Sequence, residues 1–474
     1  MPKLHRHLRV LLRSEHKAFR RFLRSPYHNR NPKLAELFEL LAPHLYAEPP
    51  RHLPETEAAA ALFPGQPFDQ NRYRKLATAL LHCFHDFLRH QEFRAQPATG
   101  EFYLLRRFVA TDQTDLVPKQ ISQTSAALTR AEWPAPETND MVIAIGLEVY
   151  KFEARQAGRR PETQPAQLLD RLEQSYAIRK MKLLYMQLNH FRITGEGTEP
   201  NPGDFLSRLA PQIGALPLEA ILYFHLFICT RNPAETEAYR TLRALLTHQA
   251  DKLFPDDAED IYAGVLNYCT QQINRGQVEY LREMWTVYVE MQLNHTLDQD
   301  GGIPRAHFKN MLTIAARLGE FAWAESVLRQ YETTHPDAAV DNAINFGRGI
   351  LEFYRARPQA AIRHFHRVLD HYEDLFFGLD ARVYLLRIYY ETGDVTGLDA
   401  LCDSFRMFLK RNQQLPRSRK ANYNHFVNYL RRLSRIPRFE GDRLRKLRHD
   451  IASGRRISAT NWLLREIDGL ISDD

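Results

Sequence analysis

Apolar residues recur every three or four positions along almost the whole chain, whereas sustained alternation of apolar and polar residues is rare. The first spacing is typical of amphipathic α-helices, and alternation is typical of strands. Stretches rich in proline and glycine, such as FPGQPF at 63–68 and GEGTEPNPGD at 195–204, divide the pattern into segments of about 12 to 20 residues. The sequence therefore predicts an all-α protein made of many short helices.

The C-terminal half repeats one arrangement of residues three times. Three segments come into register when Ala324, Ala361 and Leu398, each at the start of a predicted second helix, are aligned at a spacing of 37 residues. Every segment has a residue suited to burial four positions later and another seven positions later. These residues are Leu328, Phe365, Cys402, Tyr331, Val368 and Phe405. A spacing that occurs twice predicts a repeated helix–turn–helix unit.

This arrangement resembles the tetratricopeptide repeat, a helix–turn–helix unit of about 34 residues with a small residue early in its second helix and a proline at its end. Here Pro336 ends only the first unit, and the small residue of the first helix occurs only as Gly349. Segment 267–288 has the same helix, glycine-containing turn and helix, and segment 177–191 is a candidate for an earlier member. The resemblance implies a divergent α-solenoid, in which helical hairpins stack on one another.

The chain also resembles a family of uncharacterised bacterial tetratricopeptide-like proteins. The segments that carry this resemblance are FLRSPYHNRN, LFPGQPF, NYCTQQINRG and NWLLREI. It implies the same architecture and a cytoplasmic bacterial protein, and it implies no catalytic residue.

The predicted organisation has four parts. They are a small basic helical domain (1–93), an irregular helical region with candidate early repeats (94–255), the tetratricopeptide-like array (256–456) and a C-terminal capping helix (457–474). Trp462 and the apolar stripe that follows it would close the last repeat, because the end of a stacked array needs a cap.

Positive charge is concentrated at the two ends of the chain. Residues 1–30 contain nine Lys or Arg and one acidic residue, and residues 406–456 contain sixteen Lys or Arg and three acidic residues. With +8 and +13 in these segments and +7 overall, the remainder carries −14. This distribution favours anionic partners or contacts within the chain itself.

No run of roughly 18 uncharged apolar residues occurs, so no membrane-spanning helix is predicted. The cysteines are far apart and form no CxxC pair, which indicates buried, reduced thiols. They are Cys83, Cys229, Cys269 and Cys402. We therefore expect a cytoplasmic protein without a membrane partner.

The N-terminal basic residues fall on one side of two predicted helices. On a helical wheel, Phe19, Phe22 and Leu23 share one sector and the basic residues lie opposite. We call these basic residues the N-terminal ridge: Arg9, Arg13, Lys17, Arg20, Arg21 and Arg24. The ridge is either the solvated side of structural helices or a surface that binds phosphate groups, and both interpretations stay open.

Two further basic groups extend the phosphate hypothesis. Arg72, Arg74 and Lys75 begin the third helix of the N-terminal domain, as in a DNA-recognition helix, and this layout resembles bacterial transcription regulators that carry tetratricopeptide repeats. The many apolar residues of that helix favour instead a core helix with a basic first turn. The candidates in the C-terminal basic segment are Arg431, Arg432 and Arg435.

No motif for catalysis or cofactor binding is present. The chain lacks a Walker phosphate loop, a GxSxG elbow, an HExxH helix and a GxGxxG fingerprint. Two histidine groups, at 82–90 and 364–371, provide incomplete ligand sets, whereas zinc needs three or four converging ligands. We therefore expect neither an enzyme nor a bound metal or cofactor.

These observations favour a non-enzymatic scaffold whose concave helices hold another protein or peptide. Aromatic residues dominate the energetics of protein interfaces, so we expect aromatic anchors on the array. The candidate anchors are Tyr354, Phe376, Phe377, Tyr389 and Tyr390. The alternative is a nucleic-acid-binding or transcription-regulatory protein that uses its arginine-rich terminal helices.

Overall fold

The computed structural model describes residues 2–45, 53–131, 134–156, 165–297, 302–334, 340–370, 375–437, 439–454 and 459–472. Within these residues the regular elements are helices and no strand occurs, which confirms the all-α prediction. No helix in this described part combines the length and apolar composition needed to cross a membrane. Contacts between Cα atoms divide the chain into unit 1 (Met1–Tyr176) and unit 2 (Ala177–Asp474).

Unit 1 is organised in part around one long helix, α5. Its helices are α1 (Pro2–Leu8), α2 (His16–Arg24), α3 (Pro32–Leu41), α4 (Glu55–Leu62), α5 (Gln70–Ala95), α6 (Pro97–Ala110), α7 (Val117–Thr129), α8 (Ala135–Arg155) and the first part of α9 (Pro165–Thr194). Helices α1 to α4 all contact α5, and α6, α7 and α8 contact one another. The first five helices enclose a hydrophobic core of their own, so the basic N-terminal residues belong to a packed helical assembly.

The two phenylalanines of α2 lie in this core. Phe19 is fully buried, and its ring centre lies within 5.5 Å of three other phenylalanine rings. These belong to Phe38, Phe84 and Phe87, at 4.8, 5.5 and 5.1 Å. Phe22 is also buried and contacts Phe87. Burial of these rings determines which side of α2 faces inward and leaves the basic side toward solvent.

Unit 2 contains the second part of α9 and a succession of helical hairpins. Its further helices are α10 (Phe205–Leu209), α11 (Leu218–Arg231), α12 (Thr236–Gln249), α13 (Pro255–Asn274), α14 (Tyr280–Leu293), α15 (Arg305–Leu318), α16 (Phe321–Thr334), α17 (Val340–Tyr354), α18 (Pro358–Asp370), α19 (Leu375–Glu391), α20 (Val395–Arg411), α21 (Arg417–Ser434), α22 (Gly441–Ser453) and α23 (Thr460–Ser472). From α11 to α22, consecutive odd- and even-numbered helices form contacting pairs. The first helices of three successive pairs also touch, because α17 contacts both α15 and α19.

The residues aligned at the 37-residue spacing are all buried on α16, α18 and α20. Ala324, Ala361 and Leu398 are 0%, 0% and 2% exposed. The six apolar residues that follow them in register are buried as well. These positions therefore form the inner faces of the second helices in three consecutive hairpins.

One backbone conformation closes these three hairpins. Gly319, Ala356 and Gly393 have φ angles of 79°, 55° and 72°, in the left-handed region, and lie 37 residues apart. The amide that follows each of them donates to the carbonyl five residues earlier, at 2.9 Å: Glu320 to Ala315, Arg357 to Glu352 and Asp394 to Tyr389. This is the Schellman arrangement, which ends a helix. Ala356 is strained in this conformation, because its Cβ atom disfavours positive φ. The residues at the equivalent positions, Gly319 and Gly393, adopt it without strain.

Close helix packing explains the small residues of α17. A Cβ atom on Gly349 would lie 2.7 Å from a ring carbon of Phe365, and one on Gly347 would lie 2.6 Å from a methyl carbon of Leu312. Both distances are shorter than van der Waals contact between carbon atoms. Glycine at these positions therefore lets α17 approach α18 and α15.

Charged side chains join α12 to α14 in an earlier part of unit 2. The Arg243 guanidinium donates hydrogen bonds to both oxygens of Glu290, at 2.9 and 3.0 Å, and one to Glu283, at 2.6 Å. Burial lowers the pKa of Arg243, but its hydrogen bonds with the two carboxylates more than offset this, so its pKa lies above the ordinary value. The Arg243 side chain is only 11% exposed. Removal of Glu283 or Glu290 would therefore leave part of its buried positive charge uncompensated.

The terminal helix α23 packs on α19 through Trp462. Its indole Nε1–H donates to Glu391 at 2.8 Å, and the ring is 6% exposed. The guanidinium of Arg387 lies near three aromatic rings. These belong to Phe353, Tyr384 and Trp462, with centres 4.7, 5.1 and 5.2 Å from the guanidinium carbon. One cation therefore joins aromatic rings of α17, α19 and α23.

We expect opposite effects from exchanging glycine and alanine at the hairpin turns. Gly319→Ala and Gly393→Ala should each lower the free energy of unfolding by about 1 kcal/mol, because alanine is strained at positive φ. Ala356→Gly should raise it by a smaller amount, since relief of strain is partly offset by the greater freedom of glycine in the unfolded chain. Urea denaturation followed by circular dichroism measures all three effects.

Gly469 in α23 provides the control for this experiment. Apart from the backbone of its own helix, no atom of the described residues lies within 4 Å of the place its Cβ would take, and its φ is not positive. Gly469→Ala should therefore raise the free energy of unfolding by up to about 1 kcal/mol, because alanine favours helix. A stabilising effect of alanine at 319 or 393 as well would contradict the role assigned to the turns.

Candidate anion-binding groove

A groove of about 550 Å³ runs along α20 and α21 in unit 2. The side chains that line it, which we call the arginine groove, are Arg406, His425, Asn428, Tyr429, Arg431, Arg432 and Arg435. Arg406 lies on α20, and the others lie on α21 or directly after it. The groove thus brings together the three C-terminal arginines proposed from the sequence and adds Arg406, which sequence reasoning missed.

Arg431 is held in place by acidic residues of α20. Its Nε donates to Asp399 at 3.1 Å, and its Nη2 forms an ion pair with Asp403 at 2.7 Å. Burial lowers the pKa of Arg431, and the hydrogen bond with Asp403 together with nearby negative charge more than offsets this, so its pKa lies above the ordinary value. The side chain is 14% exposed, so its guanidinium mainly joins α21 to α20.

The other groove arginines are more accessible. Arg432 pairs with Asp450 at 2.8 Å and is 49% exposed, and Arg435 lies 3.6 Å from Asp399 and is 68% exposed. Arg406 donates a hydrogen bond to the side-chain oxygen of Asn428. These contacts orient the guanidinium groups while part of each stays open to solvent.

Unpaired positive charge extends the groove at one end. Lys410 follows Arg406 by one turn of α20, and Arg417 begins α21 on the face that also carries His425. Both are exposed, and neither forms an ion pair within the described part of the chain. Four groove arginines face three aspartates, so the local charge is +1, and Lys410 and Arg417 raise it to +3.

Two rings lie among these cations. The His425 and Tyr429 ring centres are 6.5 Å apart and the planes are inclined by 29°. The Tyr429 hydroxyl donates to the backbone carbonyl of Asp450 at 3.4 Å, and the Arg432 guanidinium lies 5.8 Å from the Tyr429 ring centre. His425 is exposed. The groove therefore offers flat surfaces next to hydrogen-bond donors.

The N-terminal ridge lies on unit 1, and part of its charge is compensated. Arg20 pairs with Glu39 at 2.9 Å, and Arg24 lies 3.7 Å from the same carboxylate. The other ridge residues, Arg9, Arg13, Lys17 and Arg21, are exposed. Arg9, Lys17 and Arg21 form no ion pair within the residues that the structure describes.

Of the three basic residues at the start of α5, Arg72, Arg74 and Lys75, only Arg72 has a contact within the described residues that explains it structurally. The Arg72 guanidinium lies 3.7 Å from the centre of the Phe63 ring, and Asp69 caps the helix by accepting from the amides of Asn71 and Arg72. Arg74 and Lys75 are exposed. Tyr73, Leu76 and Leu80 of the same helix are buried. The structure thus confirms a core helix with a basic first turn.

The aromatic residues proposed as protein anchors are largely used in packing. Phe377 is 4% exposed, with its ring centre 5.1 Å from that of Phe346, so its side chain packs within the fold. Tyr354, Tyr389 and Tyr390 are half-buried. The side chain of Phe376 lies outside the described residues.

The histidines form pairs rather than ligand sets. His85 contacts His7 of α1, with 3.1 Å between ring nitrogens, and His366 contacts the Tyr389 hydroxyl at 3.0 Å. His371 lies outside the described residues. No group of three or more His, Cys, Asp or Glu side chains arranged to hold a metal ion occurs in the described part of the chain.

Sequence reasoning also missed an exposed apolar face on α9. In unit 2, Leu183, Met186 and Ile193 are 64%, 51% and 66% exposed. Their spacing of three and seven residues is visible in the sequence, where segment 177–191 is only a candidate for an earlier repeat.

Comparison with protein-family models, curated proteins and solved structures finds no match to this chain.

We expect the groove arginines to differ in their effect on stability. Arg431→Gln should lower the free energy of unfolding by about 1–2 kcal/mol, because it removes hydrogen bonds between charged groups from a covered side chain. Arg435→Gln should lower it by less than about 0.5 kcal/mol, since exposed ion pairs contribute little. Urea denaturation checks both values. A larger loss at Arg435 would contradict the packing role of Arg431.

Proposed function

We propose that the protein is a non-enzymatic scaffold that holds a segment of another protein against α9, which is joined to an α-solenoid formed by the hairpins of unit 2 through the ion pair of Lys182 with Asp257. The equal spacing of turns and buried positions in α15 to α20 supports a repeated hairpin unit similar to the tetratricopeptide repeat. A stacked array of this kind presents an extended surface for a partner.

The exposed face of α9 is the observation that carries this proposal. Leu183, Met186 and Ile193 lie on the side of the helix opposite to Met181 and Leu188, which are fully buried. Apolar side chains at this spacing occupy positions equivalent to a and d of a heptad, where one helix accepts another. Contiguous exposed apolar groups mark interaction surfaces.

An amphipathic helix of another protein is the occupant that we infer. A helix with apolar residues at the same spacing of three and seven positions would cover Leu183, Met186 and Ile193.

Site-directed photo-crosslinking tests the scaffold. A photoreactive amino acid in place of Met186 should yield, in cells, a crosslinked product of this chain with one other protein. Leu183→Ser combined with Ile193→Ser should remove that product. Because both residues are largely exposed, the double variant should change the free energy of unfolding by no more than about 0.5 kcal/mol.

Val278 is the matched control for the crosslinker, because it is 66% exposed and lies outside α9. The photoreactive residue at 278 should give no such product. Absence of any crosslinked product at 186 would contradict the scaffold. A product of twice the mass of the chain would show that the partner is a second copy of this chain and not another protein.

Nucleic-acid binding is the second candidate function, and the N-terminal ridge favours it. Three exposed basic residues near the start of unit 1 are without an acidic partner among the described residues: Arg9, Lys17 and Arg21. Basic side chains that are not already neutralised attract phosphate groups without reading bases.

Fluorescence anisotropy with labelled duplex and single-stranded oligonucleotides tests this candidate. The affinity should fall at least tenfold between about 50 and 200 mM salt, because phosphate contacts release counterions. Reversing Arg9, Lys17 and Arg21 to Glu should weaken binding by a similar factor. The control reverses Arg94, Lys119 and Arg130, three exposed basic residues elsewhere in unit 1. Equal losses in the two variants would mean that only net charge matters and would remove the ridge from the proposal.

A further inference from the structure

We propose that the arginine groove of α20 and α21 binds a single-stranded nucleic acid, with phosphates on its basic side chains and bases against the His425 and Tyr429 rings. This inference deepens the second function proposed above and depends on it. It assigns a site, a strand type and the residues that distinguish this ligand from other polyanions.

The charge of the groove suits a phosphate chain. Three of its arginines, Arg406, Arg431 and Arg432, are oriented by hydrogen bonds to neighbouring side chains, so they lose little side-chain entropy when a ligand binds. Lys410 and Arg417 add exposed charge without an ion pair in the described residues. The net positive charge therefore increases toward the connection between the two helices.

The groove also has the length for several nucleotides. Arg417, His425, Arg432 and Arg435 follow one another at intervals of eight, seven and three residues along one face of α21. The rise of about 1.5 Å per residue spreads this face over roughly 27 Å. A linear series of donors is suited to an extended backbone rather than to one small anion.

The two rings favour an unpaired strand. His425 is exposed and its ring lies at a small angle to that of Tyr429, whose centre is 5.8 Å from the Arg432 guanidinium. Nucleobases stack on such rings and on guanidinium planes. All bases can do so, because each has a π-face, so the contact does not depend on sequence. In a duplex these faces are already stacked on neighbouring base pairs, so only a single strand gains the contact.

An acidic peptide could form ion pairs with the basic side chains of the groove, but its carboxylates would not stack on the His425 and Tyr429 rings. Carboxylates accept hydrogen bonds from arginine as phosphates do, so charge alone would not separate the two ligands. The stacking surface separates them, and the experiment therefore changes charge and ring independently.

Anisotropy titrations of the full chain with labelled oligonucleotides of about 12 nucleotides, as DNA and RNA single strands and as a duplex, measure the affinity. We expect the single strands to bind more tightly than the duplex. Lys410→Glu with Arg417→Glu should weaken single-strand binding at least tenfold and reduce its salt dependence. The matched control is Arg363→Glu with Arg367→Glu, two exposed basic residues of α18 without an ion pair in the described residues.

The ring is tested at a residue whose loss should leave the fold intact. His425→Ala should weaken single-strand binding roughly fivefold or more, and His425→Phe should restore it, because phenylalanine keeps a stacking face. His248→Ala, at an exposed position on α12, should have no effect. Circular dichroism and urea denaturation of every variant show that folding is retained.

The outcomes separate this inference from the function on which it depends. If no nucleic acid binds, both fail. If nucleic acid binds but the groove variants behave as their controls do, the groove is not the site, while nucleic-acid binding by another surface stands. If polyglutamate displaces the single strand as effectively as unlabelled oligonucleotide, or if His425→Ala has no effect, the groove is a general polyanion surface and the inference is overturned.

Discussion

A residue in the left-handed conformation at the end of each first helix is the constraint on which the later hairpins of unit 2 depend. It lets the chain leave α15, α17 and α19 through the same turn, and the amide after it is tied to a carbonyl in the last turn of that helix. These turns recur every 37 residues. The same spacing returns an apolar or small residue to the same inner position each time, as at Ala324 and Ala361.

The helices and the register of the repeat could be predicted from local sequence features. Which helix faces are covered by neighbouring helices could not be predicted in this way. Apolar spacing identifies the face of α16 that carries Ala324, because this face depends only on helical geometry. Phe377, a candidate anchor in the sequence, is buried because α19 contacts α17, α18 and α20, and the sequence does not tell how many sides of a helix are covered. Leu183 shows the converse, since it belongs to an apolar stripe and is nevertheless 64% exposed.

The candidate site was predictable in composition and unpredictable in detail. A count of charges finds the basic ends, but it treats Arg20, which pairs with Glu39, as equal to Arg21, which has no such partner in the described residues. Pairing over long stretches of chain decides which cations remain available. Arg431 is already paired with acidic residues of the preceding helix, α20, and Arg406 reaches the groove from that helix as well. No local sequence pattern reveals either contact.

The contact of Trp462 with α19 has a consequence for how the chain is made. The ribosome completes α17 and α19 before α23, so Arg387 can meet Phe353 and Tyr384 before Trp462 has emerged. The full set of aromatic contacts around this guanidinium therefore forms only after translation has passed residue 462, and a chain stopped earlier would lack the indole among them.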